Sequence, residues 1–235
     1  MSIALLNIEK GYATFSRSNY TTRKHAHYAI EIVYCTEGDF TITTSEGSYP
    51  HLKNVIIPPN LQHSFSCVNA TCQLLFLDPL SDIGRYFMQQ FQLTSPAHIS
   101  MNLPELEPFH PTGATDLAQV LENAATGATT GIDSRILQCV DTINAFFADQ
   151  KLSVAQLSGS SFLSAGRLSH LFKAQLGISV HQYILWKKIS LAVLKAEQGY
   201  SLTECAHHVG FTDSSHFNKV FYRMFGLKPF FVLKS

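Results

Sequence analysis

Residues 201–221, SLTECAHHVGFTDSSHFNKVF, repeat with one extra residue the stretch at 153–172, SVAQLSGSSFLSAGRLSHLF. Ser201 aligns with Ser153, Cys205 with Leu157, Ala206 with Ser158 and Phe211 with Leu163. After the extra residue Phe217 aligns with Leu168, Val220 with Leu171, Phe221 with Phe172 and Gly226 with Gly177. Each copy predicts a short helix, a tight turn and a second helix. In the later copy Gly210 can supply the turn, because glycine enters positive φ without a Cβ clash. Thr212 or Asp213 can then cap the next helix. Phe217, Val220, Phe221, Met224 and Phe225 fall at i, i+3, i+4, i+7 and i+8, the spacing of one buried helical stripe.

The opposite face of the later copy carries Ser214, Ser215, Asn218, Lys219, Tyr222 and Arg223. In the earlier copy Leu168, Leu171 and Phe172 are the predicted core residues, which leaves Ala165, Gly166, Ser169, His170 and Lys173 outward, with Arg167 beside them. Such outward faces are what a helix-turn-helix lays into the major groove. Between the copies runs SVHQYILWKKISLAVLKAE (179–197), with Val180, Tyr183, Ile184, Leu191 and Leu194 near one helical face. At 1.5 Å per residue this rod spans about 28 Å. One turn of duplex is roughly 34 Å, so the rod can hold two recognition helices in successive major-groove segments. An all-helical interaction domain with solvated polar faces is the plainer alternative, and the duplication and the rod argue against it.

Charge agrees. The net charge is zero, but residues 1–131 hold 6 Lys and Arg against 11 Asp and Glu, whereas residues 132–235 hold 11 against 6. A basic half is suited to a polyanion.

The run GFTDSSHFNKVFYRMFGLKP (210–229) resembles the signature of AraC-type transcription regulators, on Gly210, Phe211, Ser215, Phe217, Phe221, Gly226 and Pro229. Leu168–Phe172 and Gly177 fit the matching pattern of the first copy. The resemblance covers about 133–235. It implies two helix-turn-helix units, about 153–177 and 201–226, joined by a long helix and bound to double-stranded promoter DNA. It also implies a cytoplasmic protein, a small-molecule effector, a homodimer and room for contact with RNA polymerase. The chain departs from the pattern at Phe162, where the turn glycine is usual, at Ser158, where alanine is usual, and in its PFFVLKS ending. The DNA-binding candidates are Ala165, Gly166, Arg167, Ser169, His170, Lys173, Ser214, Ser215, Asn218, Lys219 and Arg223. Asn218 suits adenine and Lys219 suits guanine or phosphate. Lys173, Lys187, Lys188 and Arg223 suit phosphate, and Arg167 either. The small Ala165 and Gly166 leave more of the direct readout to the second unit.

The first eighty residues read differently. Short strands are broken by EGD (37–39), SEG (45–47) and PPN (58–60). DFTITTS alternates, with Phe40 and Ile42 on one face, and NVIIPP and CQLLFLD are short apolar runs. This spacing predicts a small sandwich or barrel. In SDIGRYFMQQFQL (81–93) the period changes to helical, with Ile83, Phe87 and Phe91 four apart. Residues 94–113 are irregular, 115–125 predict a short helix, and ATGATTG (125–131) reads as a linker. From 133 the chain is helical again, with Ile136, Val140, Ile143 and Phe147 in phase and Asp133 or Ser134 as cap. The expected fold is α+β: a cupin-like barrel or jelly roll (1–80), a helical dimerisation and linker region (81–131) and an all-α DNA-binding domain (132–235).

Within KHAHYAIE (24–31), His25, His27 and Glu31 share parity, so an unbroken strand points all three one way. His63 follows PPNLQ, where a neighbouring strand can complete the set. Three imidazoles and a carboxylate suit zinc, nickel, iron or manganese. The spacing resembles the two cupin motifs, although Asn60 stands where glycine is usual and the glycines expected before each motif are absent. Three readings stay open: a metal-bound cupin, a metal-free sensory pocket of the kind AraC-type regulators carry, and inert core histidines. Tyr28, Tyr34, Phe40, Phe65 and Phe76 can supply a pocket's apolar walls. A metal-dependent cupin enzyme with a helical appendage is the rival function, but no catalytic residue and no organic cofactor motif is found beside the four. The five cysteines form no CxxC pair, which suits a reduced, cytosolic chain. MSIALLNIEKGY lacks a basic start before a long apolar run, and no stretch approaches ~18 apolar residues, so neither a signal peptide nor a membrane span is expected.

Overall fold

The computed structural model describes residues 2–7, 10–93, 98–110, 114–124, 131–146 and 152–229. They fall into two compact units, residues 1–129 with 221–235 and residues 130–220.

The first unit is built on one antiparallel sheet. Its strands are β1 (Ser2–Asn7), β2 (Tyr12–Thr21), β3 (Ile30–Glu37), β4 (Phe40–Thr43), β5 (Ser48–Leu52), β6 (Asn54–Ile57), β7 (Ser64–Leu77) and β8 (Ser100–Met101). The path is β1-β2-β7-β3-β6-β8, with β4 added beside β7 and β5 beside β4. The long β7 organises this barrel. It pairs with β2 along its length, with β3 over Thr71–Leu77 and with β4 over Ser64–Ser66. β4 alternates as expected, Phe40 and Ile42 buried and Thr43 exposed, whereas β6 is buried on both faces. Such continuous apolar runs mark strands covered on both sides.

What covers them is helical. α1 (Asp82–Gln90), a 3-10 turn (Pro104–Phe109) and α2 (Ala114–Ala124) lie in this unit. Ile83, Phe87, Leu106, Phe109, Leu117 and Leu121 join Ile30, Ile32, Tyr34, Ile56, Leu75 and Leu77 in one core. Each fully buried aliphatic or Phe side chain contributes roughly 1.5–3 kcal/mol. The Tyr34 hydroxyl donates to the Leu106 carbonyl at 2.9 Å, so the one polar atom of that ring is satisfied. Ser81 caps α1, accepting from the Gly84 N–H. The expected linker falls, but for Gly131, outside the described residues, as does Phe147.

The helices that follow are α3 (Ser134–Phe146), α4 (Val154–Ser160), α5 (Ala165–Leu176), α6 (Val180–Glu197), α7 (Leu202–His208) and α8 (Ser214–Phe225). Their starts are written in serine and aspartate. Ser153, Ser179 and Ser201 form reciprocal capping boxes with Gln156, Gln182 and Glu204. Ser164 caps α5. Of the paired alternatives, Asp133 rather than Ser134 caps α3, and Asp213 rather than Thr212 caps α8, each carboxylate accepting a first-turn N–H.

One expectation about α6 is corrected. Its buried residues are Val180, Tyr183, Trp186, Lys188, Ile189, Ala192, Val193 and Ala196, whereas Ile184, Leu191 and Leu194 are only partly covered. A helix enclosed by neighbours on several sides has no single stripe for the sequence to display. Among the described residues, no helix is long and apolar enough to cross a membrane.

Candidate functional site

Two helix-turn-helix units are present, α4–turn–α5 and α7–turn–α8. In the first, Leu168 and Phe172 are buried and Leu171 partly so. Ala165, Gly166, Arg167, Ser169, His170 and Lys173 are all exposed along α5. In the second, Phe217, Val220 and Phe221 are buried, and Ser215, Asn218, Lys219 and Arg223 are exposed, with Ser214 half-buried. Each predicted recognition face is therefore an open polar strip on a helix whose other side is anchored. α6 between them has 18 residues, about 27 Å of rod.

The second candidate lies in the barrel, where His25, His27, Glu31 and His63 are all buried. One ligand atom from each lies within 4.8 Å of the others. The route to this convergence differs from the expected strand. β3 begins only at Ile30, and His25 forms an isolated bridge with His63. His25 and His27 reach the site from an irregular segment, pinned by His25 N to His63 O (2.8 Å) and Asn60 N to His27 O (2.8 Å). Asn60 has φ 64, the left-handed backbone for which glycine is the usual residue and asparagine the next best tolerated.

The hydrogen bonds fix the tautomers. Each imidazole turns Nδ1 to a main-chain carbonyl two residues away: His25 to Arg23 (2.8 Å), His27 to Ala29 (3.0 Å) and His63 to Leu61 (2.9 Å). A carbonyl only accepts, so each Nδ1 carries the proton and a neutral ring keeps its lone pair on Nε2. His27 Nε2 and His63 Nε2 lie 2.9 and 3.1 Å from the same Glu31 oxygen, Oε2. Two lone pairs facing a carboxylate repel unless positive charge stands between them, as two further ring protons or as one cation.

Electrostatics carry the same message. Burial opposes ionisation of Glu31, but His27 and His63, which hydrogen-bond it when Nε2 carries a proton, outweigh that and hold the carboxyl well below its ordinary range. Burial, reinforced by His63 and His27, lowers His25 to about 3, so this ring is a neutral donor of electrons. Burial also opposes protonation of His63, but the Glu31 hydrogen bond raises it overall. Side chains separated by 2.9–3.1 Å suit one ion, since ligands on bonds of about 2.1 Å stand roughly 3.0–3.4 Å apart. The Nδ1–carbonyl bonds are the outer support that ligating histidines usually need. The Phe76 ring, 5.4 Å from that of His27, closes one side. A separate cavity of about 350 Å³, lined by Lys10, Tyr12, Leu80–Ile83, Leu121 and Glu122, includes none of the four.

Comparison with known proteins agrees with this architecture. A family described as "Helix-turn-helix domain" matches residues 157–234. "Probable transcriptional regulator LumQ" from Photobacterium leiognathi is 29% identical over 199 residues, covering 74% of this chain and 75% of LumQ. The arabinose operon regulatory protein of Escherichia coli is 33% identical over 99 residues, 42% of this chain and 34% of that protein. The crystal structure of apo ToxT from Vibrio cholerae superposes with a TM-score of 0.66 at 11% identity, covering 95% of this chain and 97% of that one. The fold thus extends over both units.

Residues 157–234 of this chain are a helix-turn-helix domain.

Some residues escaped the sequence reading. Lys188, expected to hold phosphate, is buried instead, its Nζ donating to the Gly210 carbonyl at 3.1 Å and lying 5.8 Å from the centre of the Phe211 ring. It braces the turn of the second unit from beneath. Phe162 takes φ 53 in the first turn, in the role Gly210 fills with φ 73 in the second. The Arg23, Ala29 and Leu61 carbonyls that orient the histidines left no trace in residue type, since any residue offers a carbonyl.

Proposed function

We propose that the regulator reads promoter DNA through α5 and α8 and takes its signal at the buried barrel cluster, with a divalent transition metal as effector or as the seat of one. Three imidazoles and one carboxylate form a borderline set suited to zinc, nickel, iron or manganese. His25, His27 and His63 would hold the ion through Nε2 and Glu31 through its carboxylate. Bound there, the ion supplies the positive charge that the two lone pairs and the carboxylate demand. The observation that carries this reading is the double approach of His27 and His63 to one Glu31 oxygen with both Nδ1 atoms already committed as donors.

On DNA, we assign base readout to Asn218 and Lys219, with Ser214, Ser215, Ala165, Gly166, Ser169 and His170 lining the two approaches, and phosphate contact to Lys173 and Arg223. Arg167 serves either role. A ToxT structure is described with an unsaturated fatty acid bound, which supports a small-molecule signal for a barrel of this fold. In this chain four buried polar groups favour a metal ion, alone or carrying such a ligand. We assign a homodimer contact to the region of α1 and α2. A promoter-bound dimer in the cytoplasm, within reach of RNA polymerase, completes the reading. A signal at the cluster acts only through different affinity for two arrangements of the protein.

The test is selection of DNA fragments by purified protein, with and without each metal, alongside elemental analysis. A recovered motif whose affinity changes with one metal, and loses that change in His63→Ala, supports both halves. DNA binding indifferent to every metal sinks the sensory half. A catalytic turnover that vanishes with the metal would instead favour a cupin enzyme.

A further inference from the structure

The barrel carries a second cluster, of thiols. β3 bears Cys35 beyond Glu31, and β7 bears Cys67 and Cys72. Five residues of regular strand separate Cα atoms by about 16 Å, yet the Cys67 and Cys72 Sγ atoms are 3.4 Å apart. A double irregularity brings them together. The β2 pairing jumps from Tyr20↔Cys67 to Ser18↔Thr71, and Asn69 (φ 54) and Asn19 (φ 51) both take left-handed backbone. Asn69 N donates to Asn19 Oδ1 at 2.7 Å, and Val68 is turned outward. Both thiols are fully buried.

Cys35 adds a third sulfur. It is the cross-strand partner of Cys72, and its N–H donates the other way, to Lys53 O at 2.7 Å. The Cys35–Cys72 pair is therefore the non-hydrogen-bonded kind, in which side chains approach most closely. Cys35 Sγ donates to the Glu37 carbonyl at 3.1 Å and is partly open to solvent. Three sulfurs run from surface to interior, Cys35 to Cys72 to Cys67. Burial pushes the Cys72 and Cys35 thiols up, which disfavours oxidation, since the thiolate is the reacting form. A soft cation removes that obstacle by displacing the thiol protons itself.

We propose that Cys67 and Cys72, with Cys35 as third ligand, form a binding site for a soft monovalent d10 cation of the Cu(I) and Ag(I) class. The cation forms bonds to three sulfurs, three S–H bonds break, and three protons leave to solvent with no change of oxidation state. The Sγ atoms need open only from 3.4 Å to about 4 Å for trigonal bonds near 2.3 Å. The Lys53 ammonium, near Cys35, offsets the extra negative charge. This site is independent of the imidazole cluster.

The experiment is anaerobic titration of the full-length reduced protein with Cu(I) against a competing Cu(I) chelator, repeated with Ag(I), followed by thiolate-to-metal ultraviolet absorption. One equivalent should bind to the wild type and to His63→Ala, and binding should be lost in Cys67→Ala and Cys72→Ala, while Cys139→Ala binds normally. Should the core variants fail to fold, wild-type protein answers alone. One equivalent of Ag(I) should protect Cys67 and Cys72, but not Cys205, from alkylation on later unfolding. Unprotected thiols, unchanged binding in a folded Cys67→Ala/Cys72→Ala protein, or a two-proton mass loss showing a disulfide in place of bound metal would each overturn the assignment.

Discussion

Phe162 and Gly210 hold the same place in the two helix-turn-helix units and the same left-handed backbone, φ 53 and 73, yet only one is glycine. A bulky L-residue there costs roughly 1–2 kcal/mol against an ordinary conformation. Phe162 recovers none of it by burial, because the residue is 94% exposed. Phe162→Asn, which tolerates this backbone, should raise stability by about 0.5–1 kcal/mol, a few degrees of melting temperature. Gly210→Ala should lower it by about 1 kcal/mol. Circular-dichroism melting of both variants checks the pair. A lower melting temperature for Phe162→Asn would mean that the ring holds the turn in place.

The two units were legible because their signals are local. Caps, a turn and a 3.6-residue stripe all lie within some 25 residues, and duplication displays each twice. The barrel's existence was legible for the same reason, in its turns and in the alternation of Phe40 and Ile42. The convergence of His25, His27, Glu31 and His63 was guessed from parity, and parity is not what produces it. His25 and His27 stand on irregular backbone whose path is set by Asn60 and His63, more than thirty residues away. Lys188 was misread because a lysine beside Lys187 on an amphipathic stretch looks solvated, and only the tertiary fold shows the Gly210 carbonyl waiting for it. The thiol cluster was invisible because the bulge at Asn69 has no counterpart in hydrophobic pattern.

Charge on the recognition faces gives a second prediction. Binding that neutralises phosphates weakens linearly in logarithmic terms as salt rises. Arg223→Ala and Lys173→Ala, each losing one phosphate contact, should reduce the salt slope by about one and weaken all sequences alike. Asn218→Ala should instead relax preference at one base position, by about 1–3 kcal/mol, with the slope unchanged. Gel shifts at several salt concentrations separate the two. An Asn218→Ala protein that weakens every site equally would remove that residue from base readout.

The imidazole cluster gives a third. A metal that binds only the folded barrel stabilises it by about 2.7 kcal/mol when present at a hundred times its dissociation constant. Thermal melting with excess zinc, nickel, iron(II) or manganese should therefore rise for the preferred ion and fall back on chelation. Glu31→Gln and His63→Ala should each abolish the rise. Metal-free Glu31→Gln should also fold, because an amide leaves no carboxylate facing two lone pairs. If all four metals leave the melting curve unmoved, the rings' missing positive charge must come from protons, and the cluster is a hydrogen-bonded core.

Lys188 supplies the sharpest contrast, because two roles predict opposite outcomes for one substitution. As a phosphate contact, Lys188→Ala would reduce the salt slope of DNA binding and leave folding untouched. The structure places its Nζ on the Gly210 carbonyl and 5.8 Å from the centre of the Phe211 ring, with the residue only 9% exposed. Removing the side chain strips a part-buried carbonyl of its partner and opens space at the second turn. The expected cost is about 1–3 kcal/mol of stability, with the salt slope unchanged once binding is measured below the melting transition. Lys187→Ala, on the same helix and half-buried, is the comparison: as a residue suited to phosphate it should reduce the salt slope and leave folding nearly untouched. Lys188→Met preserves the stem, so it should recover the packing part of the loss but not the hydrogen bond. A Lys188→Ala protein that melts like the wild type but binds DNA with a shallower salt slope would return this lysine to the duplex.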